Sequence, residues 1–297
     1  MAEFNNDINL NIPDPWRDIA ERIGGSPGLV MVLGGCDTGK STLCMFLVRH
    51  LCGAGARVGF VDSDVGQSTL GPPMTIGGKV YTMPADVRPD LHPPCLFFTG
   101  SATPVGRMVE SIEGTVRVVQ RVRGAGAKWI VVDTTGMIAG EAGRQIKLQK
   151  VRLLRPDWVV VLERDSELQE IVPLLEREGQ RILRIHVPAE VKRRSREQRR
   201  RRRFESYAEY FRNAVPIEIE IERIPVYDLQ SETPAGTLAG LNDRHGDTLA
   251  LGYVAALDLE RGIVSLNAPP LDVRNVAYLK LADVASDRID YEVVKKL

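Results

Sequence analysis

Residues 34–42 read GGCDTGKST and form the first stretch whose residue types and spacing could do chemistry. They fit the phosphate-binding pattern G-x-x-x-x-G-K-[ST], in which glycines let the backbone turn successive N–H groups towards phosphate oxygens. The apolar run 29–33 precedes the pattern, and an amphipathic stretch follows it. This is the context of a loop between a buried strand and a helix whose N-terminal end attracts anions. The sequence therefore predicts a binding site for a nucleoside triphosphate.

The side chains of this loop have separate expected roles. Lys40 should bridge the β- and γ-phosphates, and the Ser41 hydroxyl should hold Mg²⁺. The predicted nucleotide-binding residues are Gly34, Cys36, Asp37, Thr38, Gly39, Lys40, Ser41 and Thr42.

Two carboxylates, Asp62 and Asp64, follow the apolar run 58–61. Ligands of an open α/β sheet bind beyond the carboxyl ends of its strands, so we expect this pair to face the phosphate loop. One carboxylate would bind the metal through water, and the other would accept the proton of an attacking hydroxyl. The alternative is a strand that ends in solvated acids on a surface turn.

A further carboxylate, Asp133, ends the apolar run 129–132 and is followed by Thr134, Thr135 and Gly136. This is the usual place of a second acidic group near magnesium, or of a loop that senses the γ-phosphate. The position of Asp133 indicates that it belongs to the nucleotide site. It does not distinguish between a group near magnesium and a loop that senses the γ-phosphate.

The stretch 192–203 is strongly basic, since nine of its twelve residues are Lys or Arg. It could be a solvated helix face. It could also supply arginines to a transferring phosphoryl group, or form a groove for a nucleic-acid backbone. Tyr207, Tyr210 and Phe211 continue the same helical pattern with apolar anchors.

Composition narrows the class of protein. The chain has 297 residues, with 39 basic against 39 acidic side chains, so affinity for a polyanion must come from local clusters. Its four cysteines show no C-x-x-C pair, which argues against a disulfide framework or a zinc site. The N terminus lacks the layout of a signal peptide, and no apolar run reaches about 18 residues. We therefore expect a cytoplasmic protein without a membrane span.

Strand-like runs alternate with helical patterns from residue 28 to about 187, as in βαβ units. The predicted strands are 29–33, 58–61, 96–98, 129–132, 159–162 and 182–185. Trp16, Ile19, Ala20 and Ile23 recur at helical spacing and predict a short helix ahead of them. The expected fold is a three-layer α/β/α domain of the P-loop NTPase class with a mainly parallel sheet.

Short β-rich runs with turn signals follow residue 216 and predict a small, mainly β domain. These runs are 217–221, 249–255, 262–266 and 276–281. The predicted organisation is a helical lead-in over 1–25, a nucleotide domain over 26–213 with a basic lid helix at 190–211, and the β-rich domain over 214–297.

Four motifs in this order resemble the polynucleotide 5'-hydroxyl kinase family, which includes the archaeal polynucleotide kinases and the kinase subunit of the eukaryotic pre-mRNA cleavage machinery. The phosphate loop is the first, and the family's D-x-G-Q element stands at 64–67. Its clasp, T-x-G followed by an aromatic, corresponds to 134–137, and its lid pattern R-S-x-x-x-R to 194–199. The resemblance covers the nucleotide domain from 34 to 199.

The resemblance implies ATP and Mg²⁺ as cofactors, with Asp64 as the base that activates a 5'-hydroxyl. Asp62 is then the carboxylate predicted to bind the metal beside Ser41. It further implies that Arg194 and Arg199 act on the transferred phosphoryl group. The residues implied on the acceptor side are Gln67, Thr134, Thr135, Gly136, Met137, Gln145 and Lys147, with Gly140 in the same stretch.

Two features depart from the family pattern. Met137 replaces the clasp aromatic, on which a terminal base would stack for about 1–3 kcal/mol. The phosphate-loop strand also comes early in the chain, so we expect the large N-terminal β domain of the eukaryotic relatives to be missing and a role in their complex to be disfavoured.

The sequence thus predicts an ATP- and Mg²⁺-dependent kinase of RNA or DNA 5'-hydroxyl ends, with a place in RNA processing and with protein partners unknown. One alternative is a nucleotide-binding scaffold or switch without kinase activity. A guanine-reading N-K-x-D or T-K-x-D element is missing from the sequence, which disfavours a GTPase switch. The other alternative is a kinase of a small metabolite, for which the basic run would be excessive.

Overall fold

The computed structural model describes residues 12–187, 191–230 and 233–283, which form six α-helices and thirteen strands. The helices are α1 (Asp14–Gly24), α2 (Lys40–Gly53), α3 (Met108–Gly124), α4 (Gly140–Leu154), α5 (Val172–Arg177) and α6 (Arg196–Tyr210). The first seven strands are β1 (Leu29–Gly34), β2 (Val58–Ser63), β3 (Thr75–Tyr81), β4 (Cys95–Phe98), β5 (Trp129–Thr134), β6 (Trp158–Glu163) and β7 (Ile182–His186). The others are β8 (Val215–Glu220), β9 (Val226–Tyr227), β10 (Leu238–Asn242), β11 (Thr248–Asp258), β12 (Ile263–Ala268) and β13 (Tyr278–Leu281).

Within the described residues the first seven strands form one sheet in the order β4-β3-β2-β5-β1-β6-β7. β1 pairs in parallel with β5 and β6, and β6 with β7, whereas β3 and β4 are antiparallel. Every residue of β1 and β2 is buried, which is the continuous apolar pattern of a strand covered on both faces. The six strands predicted for this sheet are confirmed, and β3 is a seventh strand that was not predicted.

The described part of the C-terminal region contains a second sheet in the order β8-β12-β11-β10-β13-β9. Neighbouring strands in this sheet are antiparallel, except that β13 and β9 are parallel. Alternating apolar residues such as Ile219, Leu266 and Leu279 form its core. The predicted α/β class with a mainly parallel sheet, followed by a smaller mainly β region, is therefore confirmed.

Two compact units divide the described chain. The first comprises 12–61, 79–90, 119–187 and 191–193, and the second comprises 62–78, 91–118, 194–230 and 233–283. The boundaries predicted after residues 25 and 213 stay predictions. Parts of the predicted segments, namely 1–11, 188–190, 231–232 and 284–297, lie outside the described residues.

Helix α1 buries Trp16, Ile19, Ala20 and Ile23 on one face, as its spacing predicts. The basic helix is shorter than the predicted 190–211, because α6 begins only at Arg196. Among the helices that the structure describes, none is both long and apolar enough to cross a membrane.

Candidate active site

Two side chains of the phosphate-binding motif form hydrogen bonds with the backbone of the loop between β1 and α2. Gly39 adopts a φ of 91°, in the left-handed region that favours glycine. Lys40 Nζ donates to the carbonyl oxygen of Gly35 at 2.6 Å, and Thr38 Oγ1 donates to the same oxygen at 3.1 Å. The ammonium group is therefore held against the loop itself.

The N-terminal end of α2 begins at Lys40, so the N–H groups of its first turn lack intrahelical acceptors. Among the described residues no side chain caps this end. Ser41 is half-buried and Thr42 is exposed in the same turn. The N–H groups, the positive helix end and the Lys40 ammonium match the charge and the oxygen acceptors of a triphosphate. The residues present therefore fit the predicted nucleotide.

Asp133 and Thr134, at the end of β5, lie beside the strand that leads into this loop. The register pairs Val32 with Asp133, and Thr134 Oγ1 donates to the carbonyl oxygen of Val32 at 2.7 Å. Asp133 is fully buried. Its carboxylate and the Ser41 hydroxyl are hard oxygen donors of the kind that Mg²⁺ prefers. The donor chemistry of this unit fits the predicted ion.

The predicted clasp turn packs directly on the phosphate loop. A Cβ atom added to Gly136 would lie 2.7 Å from both the Cα and the Sγ of Cys36. Cβ atoms in folded proteins do not come this close to another heavy atom, so only glycine fits at this point of the turn without a shift of the phosphate loop. The clasp and the phosphate loop therefore form one surface.

Lys147 of α4 supports this turn from the interior. Its side chain is fully buried, and Nζ donates to Thr134 Oγ1 at 2.9 Å and to the carbonyl oxygen of Thr135. A buried ammonium is tolerated only where its donors are satisfied. The structure thus places Lys147 behind the clasp. Lys147 shares the buried face of α4 with Gly143 and Val151.

The other predicted acceptor-side residues of this unit lie nearer the surface. Gln145 is half-buried and donates from Nε2 to Glu141 Oε1 at 2.7 Å. Met137 is also half-buried, and its backbone N–H donates to Thr135 Oγ1 at 3.4 Å. Both side chains remain accessible to a ligand.

In the second compact unit, Asp62 organises the loop that follows β2. Its Oδ2 accepts hydrogen bonds from the backbone N–H and the hydroxyl of Thr69 and from the N–H of Leu70. Its Oδ1 accepts from the N–H of Asp64 at 2.9 Å. Burial raises the pKa of the Asp62 carboxyl, and the hydrogen bonds from Thr69 lower it in part. Both oxygens of Asp62 are thus engaged in holding the loop.

Asp64 begins a tight turn in which Oδ1 accepts from the N–H of Gly66 at 3.1 Å and of Gln67 at 3.2 Å. Among the described residues, Oδ2 of Asp64 accepts no hydrogen bond. Because the side chain is only half-buried, this oxygen is accessible to a hydrogen-bond donor of a ligand. Gln67 extends the turn, since its Nε2 donates to the carbonyl oxygen of Arg199 at 3.3 Å.

Helix α6 begins with a capping box, which explains why the lid helix is shorter than predicted. The N–H of Gln198 donates to Ser195 Oγ at 3.1 Å, and the N–H of Ser195 donates to Gln198 Oε1 at 2.8 Å. Arg194 therefore precedes the helix, and its carbonyl oxygen accepts from Arg199 Nη1 at 2.8 Å. The two predicted lid arginines lie side by side.

The other end of α6 is fixed in the core of the second unit. Tyr207 Oη donates to the carbonyl oxygen of Pro73 at 3.3 Å, and the N–H of Leu251 donates to Tyr210 Oη at 2.9 Å. Burial raises the pKa of Tyr210 to about 12, so its hydroxyl stays neutral at ordinary pH. The apolar anchors that follow the basic run thus hold the lid helix in place.

Sequence reasoning missed Arg164, which touches the phosphate loop. Its Nη2 donates to the carbonyl oxygen of Asp37 at 2.6 Å. The available signal was its place directly after the buried strand β6, at the edge where the ligands of such sheets bind.

The structure groups the predicted site residues into two sets, one in each compact unit. The first set is Gly34, Cys36, Asp37, Thr38, Gly39, Lys40, Ser41, Thr42, Thr134, Thr135, Gly136, Met137, Gln145 and Lys147. The second set is Asp62, Asp64, Gln67, Arg194 and Arg199.

Several curated relatives match much of this chain. A polyribonucleotide 5'-hydroxyl-kinase of Pyrococcus furiosus is 35% identical over 221 residues, covering 74% of this chain and 61% of that protein. Its counterpart in Pyrococcus abyssi is 30% identical over 308 residues, covering 97% of this chain and 82% of the relative. The chain spans only 61% and 60% of the length of the relatives from P. furiosus and P. horikoshii.

A solved structure shares the fold. The wild-type Clp1p–Pcf11p (454–563) complex contains a chain that superposes with a TM-score of 0.69 at 14% identity, covering 91% of this chain and 78% of that one. The family model described as mRNA cleavage and polyadenylation factor CLP1 P-loop matches residues 34–213, the part that holds all four motifs. This chain therefore belongs to the CLP1 P-loop family.

Proposed function

We propose that this chain transfers the γ-phosphate of ATP to the 5'-hydroxyl end of RNA or DNA in a magnesium-dependent reaction. The observation that carries the proposal is the turn at 64–67. It holds the Asp64 carboxylate and, through Gln67, contacts the helix that bears Arg199. One short loop thus links a candidate base to a candidate phosphoryl-binding arginine. The names of the archaeal relatives support the same activity.

In the proposed reaction the 5'-oxygen attacks the γ-phosphorus, the bond from phosphorus to the β–γ bridging oxygen breaks, and ADP leaves. Asp64 takes the proton of the hydroxyl. Lys40 and the N–H groups of 36–42 bind the phosphates, and Arg194 and Arg199 stabilise the charge on the transferred group. Bound Mg²⁺ would neutralise charge on the phosphate oxygens.

Ser41 and Asp62 remain the residues proposed to hold the metal, and the burial of Asp133 beside the loop adds it to them. Asp62 would act through water, because both its oxygens already accept hydrogen bonds from the loop. On the acceptor side we propose that Met137, Gln145 and the clasp turn line the nucleic-acid site.

Lys147 has an indirect part in this scheme, because it fixes the clasp turn from behind. We also propose a cytoplasmic setting, which is supported by four cysteines, Cys36, Cys44, Cys52 and Cys95, that form no disulfide among the described residues.

The test is label transfer from γ-labelled ATP to 5'-hydroxyl RNA and DNA oligonucleotides, with a nucleoside as a small acceptor and EDTA as the metal control. Lys40→Ala should abolish transfer, whereas Lys128→Ala, at an exposed position, should not. Transfer by Lys40→Ala at the rate of the parent would contradict the proposal. ATP binding without transfer to any acceptor would favour a switch or scaffold instead.

A further inference from the structure

Arg164 joins two segments of the first compact unit that are distant in sequence. It follows β6 and is half-buried. Its Nη2 donates to the carbonyl oxygen of Asp37 at 2.6 Å and to that of Val191 at 2.9 Å. Asp37 belongs to the phosphate loop, and Val191 lies three residues before Arg194 in the chain. One guanidinium group therefore contacts both the phosphate loop and Val191, directly before the basic stretch 192–203, which is called the lid segment below.

The contact with Asp37 fixes the direction of a phosphate-facing group. Asp37 has a φ of 54°, in the left-handed region that costs energy for a residue with a side chain. Its carbonyl and the N–H of Thr38 belong to one planar peptide unit and point in opposite directions. A donor that holds the Asp37 oxygen therefore also sets the direction of the Thr38 N–H. That N–H is one of the groups that the loop turns towards phosphate.

The contact with Val191 fixes the chain just before the lid. A second contact supports it, because Arg193 Nη2 lies 3.4 Å from Glu167 Oε1. This ion pair is partly exposed, so it contributes little by itself. Hydrogen bonds from a charged guanidinium are stronger than those from neutral donors. Arg164 donates to Val191 at the shorter distance of 2.9 Å and from a half-buried side chain, so it is the stronger of these two contacts.

We propose that Arg164 is a positioning residue that orders the phosphate loop for the triphosphate and holds the start of the lid segment. Loss of its contact with Asp37 weakens ATP binding, and loss of its contact with Val191 frees the lid segment. The part of the inference that concerns turnover rests on the proposed kinase activity. The parts that concern ATP binding and the order of the segment do not.

The test compares Arg164→Met, which keeps the length and loses the donors, with Arg164→Lys, which keeps the charge. Arg184→Met is the matched control, since Arg184 is an exposed arginine paired with Glu176 on the surface. The readouts are the Kd of a fluorescent ATP analogue, the KM values for ATP and oligonucleotide, the Tm, and the rate of tryptic cleavage within 192–203.

Arg164→Met should raise the Kd and KM for ATP by about 10-fold or more, as expected for a charge-assisted hydrogen bond lost in a partly buried site. It should lower kcat, leave the KM for the oligonucleotide unchanged and accelerate cleavage within 192–203. Arg164→Lys should fall between the parent and Arg164→Met in Kd and cleavage rate, and Arg184→Met should match the parent.

An unchanged Kd for ATP in both Arg164 variants, or an unchanged cleavage rate, would overturn the inference. If Arg164→Met fails to fold, Arg164→Lys must still show the weaker ATP binding. If the parent shows no phosphoryl transfer, the proposed function fails, while the Kd and the cleavage rate still decide the role of Arg164.

Discussion

Gln67 donates a hydrogen bond from its side-chain amide to the main-chain carbonyl of Arg199, with 3.3 Å between Nε2 and O. The backbone N–H of the same Gln67 donates to Asp64 Oδ1 at 3.2 Å. A single residue thus contacts both the candidate base and the lid helix. The D-x-G-Q motif is therefore a structural link as well as a source of a carboxylate.

Gln67→Leu should lower kcat more than it lowers stability, because it removes the donor to Arg199 and leaves the shape of the side chain. The loss of such a bond corresponds to about 1–2 kcal/mol, or roughly 5- to 30-fold in rate. Steady-state kinetics and thermal melts would measure both effects. Gln120→Leu, at an exposed position of α3, is the control, and equal kinetics for the two variants would argue against the link.

Arg194→Ala and Arg199→Ala should each reduce kcat by about 10³-fold, because arginines on a transferring phosphoryl group act mainly in the transition state. Arg201→Ala should be close to the parent, since Arg201 is exposed and pairs with Glu205 on the same helix. Rapid-quench kinetics would separate the chemical step from binding. A uniform loss of oligonucleotide affinity with kcat intact would make Arg194 and Arg199 backbone clamps.

Lys147→Met should destabilise the protein by about 2 kcal/mol, because two buried acceptors lose their donor. The oligonucleotide KM should rise as well, since the clasp turn loses its support. Urea unfolding and kinetics on a 5'-hydroxyl oligonucleotide are the measurements. Lys128→Met, at an exposed position, controls for the loss of a charge. A fully stable Lys147→Met protein would show that the buried ammonium is dispensable.

Met137→Trp should strengthen oligonucleotide binding by about 1–3 kcal/mol, since it places a stacking surface where the family has an aromatic residue. The KM for a 5'-hydroxyl oligonucleotide should fall, and the KM for ATP should stay constant. Met83→Trp, at an exposed methionine elsewhere, tests whether any added tryptophan has this effect. If Met137→Trp leaves the KM for the oligonucleotide unchanged, the terminal base does not stack at the clasp turn.

Tyr210→Phe should destabilise the second unit by about 1–3 kcal/mol, because the buried N–H of Leu251 loses its acceptor without any change of ring packing. A lower kcat should accompany it, since α6 carries Arg199. Tyr227→Phe removes an exposed hydroxyl and is the control. A lower Tm with an unchanged kcat would show that Tyr210 stabilises the second unit without affecting the action of Arg199.

Most of the first sheet could be predicted from the sequence, because its strands are continuous apolar runs that end in polar motifs. β3 was missed because Gly77 and Gly78 interrupt its apolar pattern. The short strand β9 and the strand β10, which contains Gly240, carry equally weak signals. The start of α6 was readable, since Ser195 and Gln198 have the spacing of a capping box.

The candidate site was predictable where a motif has a local mechanism and not where the contact partner is distant in sequence. The phosphate loop is a local motif, so its residues were found. The target of Gln67 lies 132 residues away, and that of Arg164 lies 127 residues away, so no spacing rule reveals them. The interior position of Lys147 depends on which face of α4 is covered, and its positive charge concealed that face.

The aromatic end of α6 has a consequence for how the second unit unfolds. Tyr207, Tyr210 and Phe211 share one apolar cluster with Leu238 and Leu251 of the C-terminal sheet. A helix and a sheet that bury the same cluster open together, so their amide protons should exchange with a common free energy. The basic helix therefore belongs to the same cooperative folding element as the sheet. A chain cut after residue 213 would lose the order of its arginines together with the sheet.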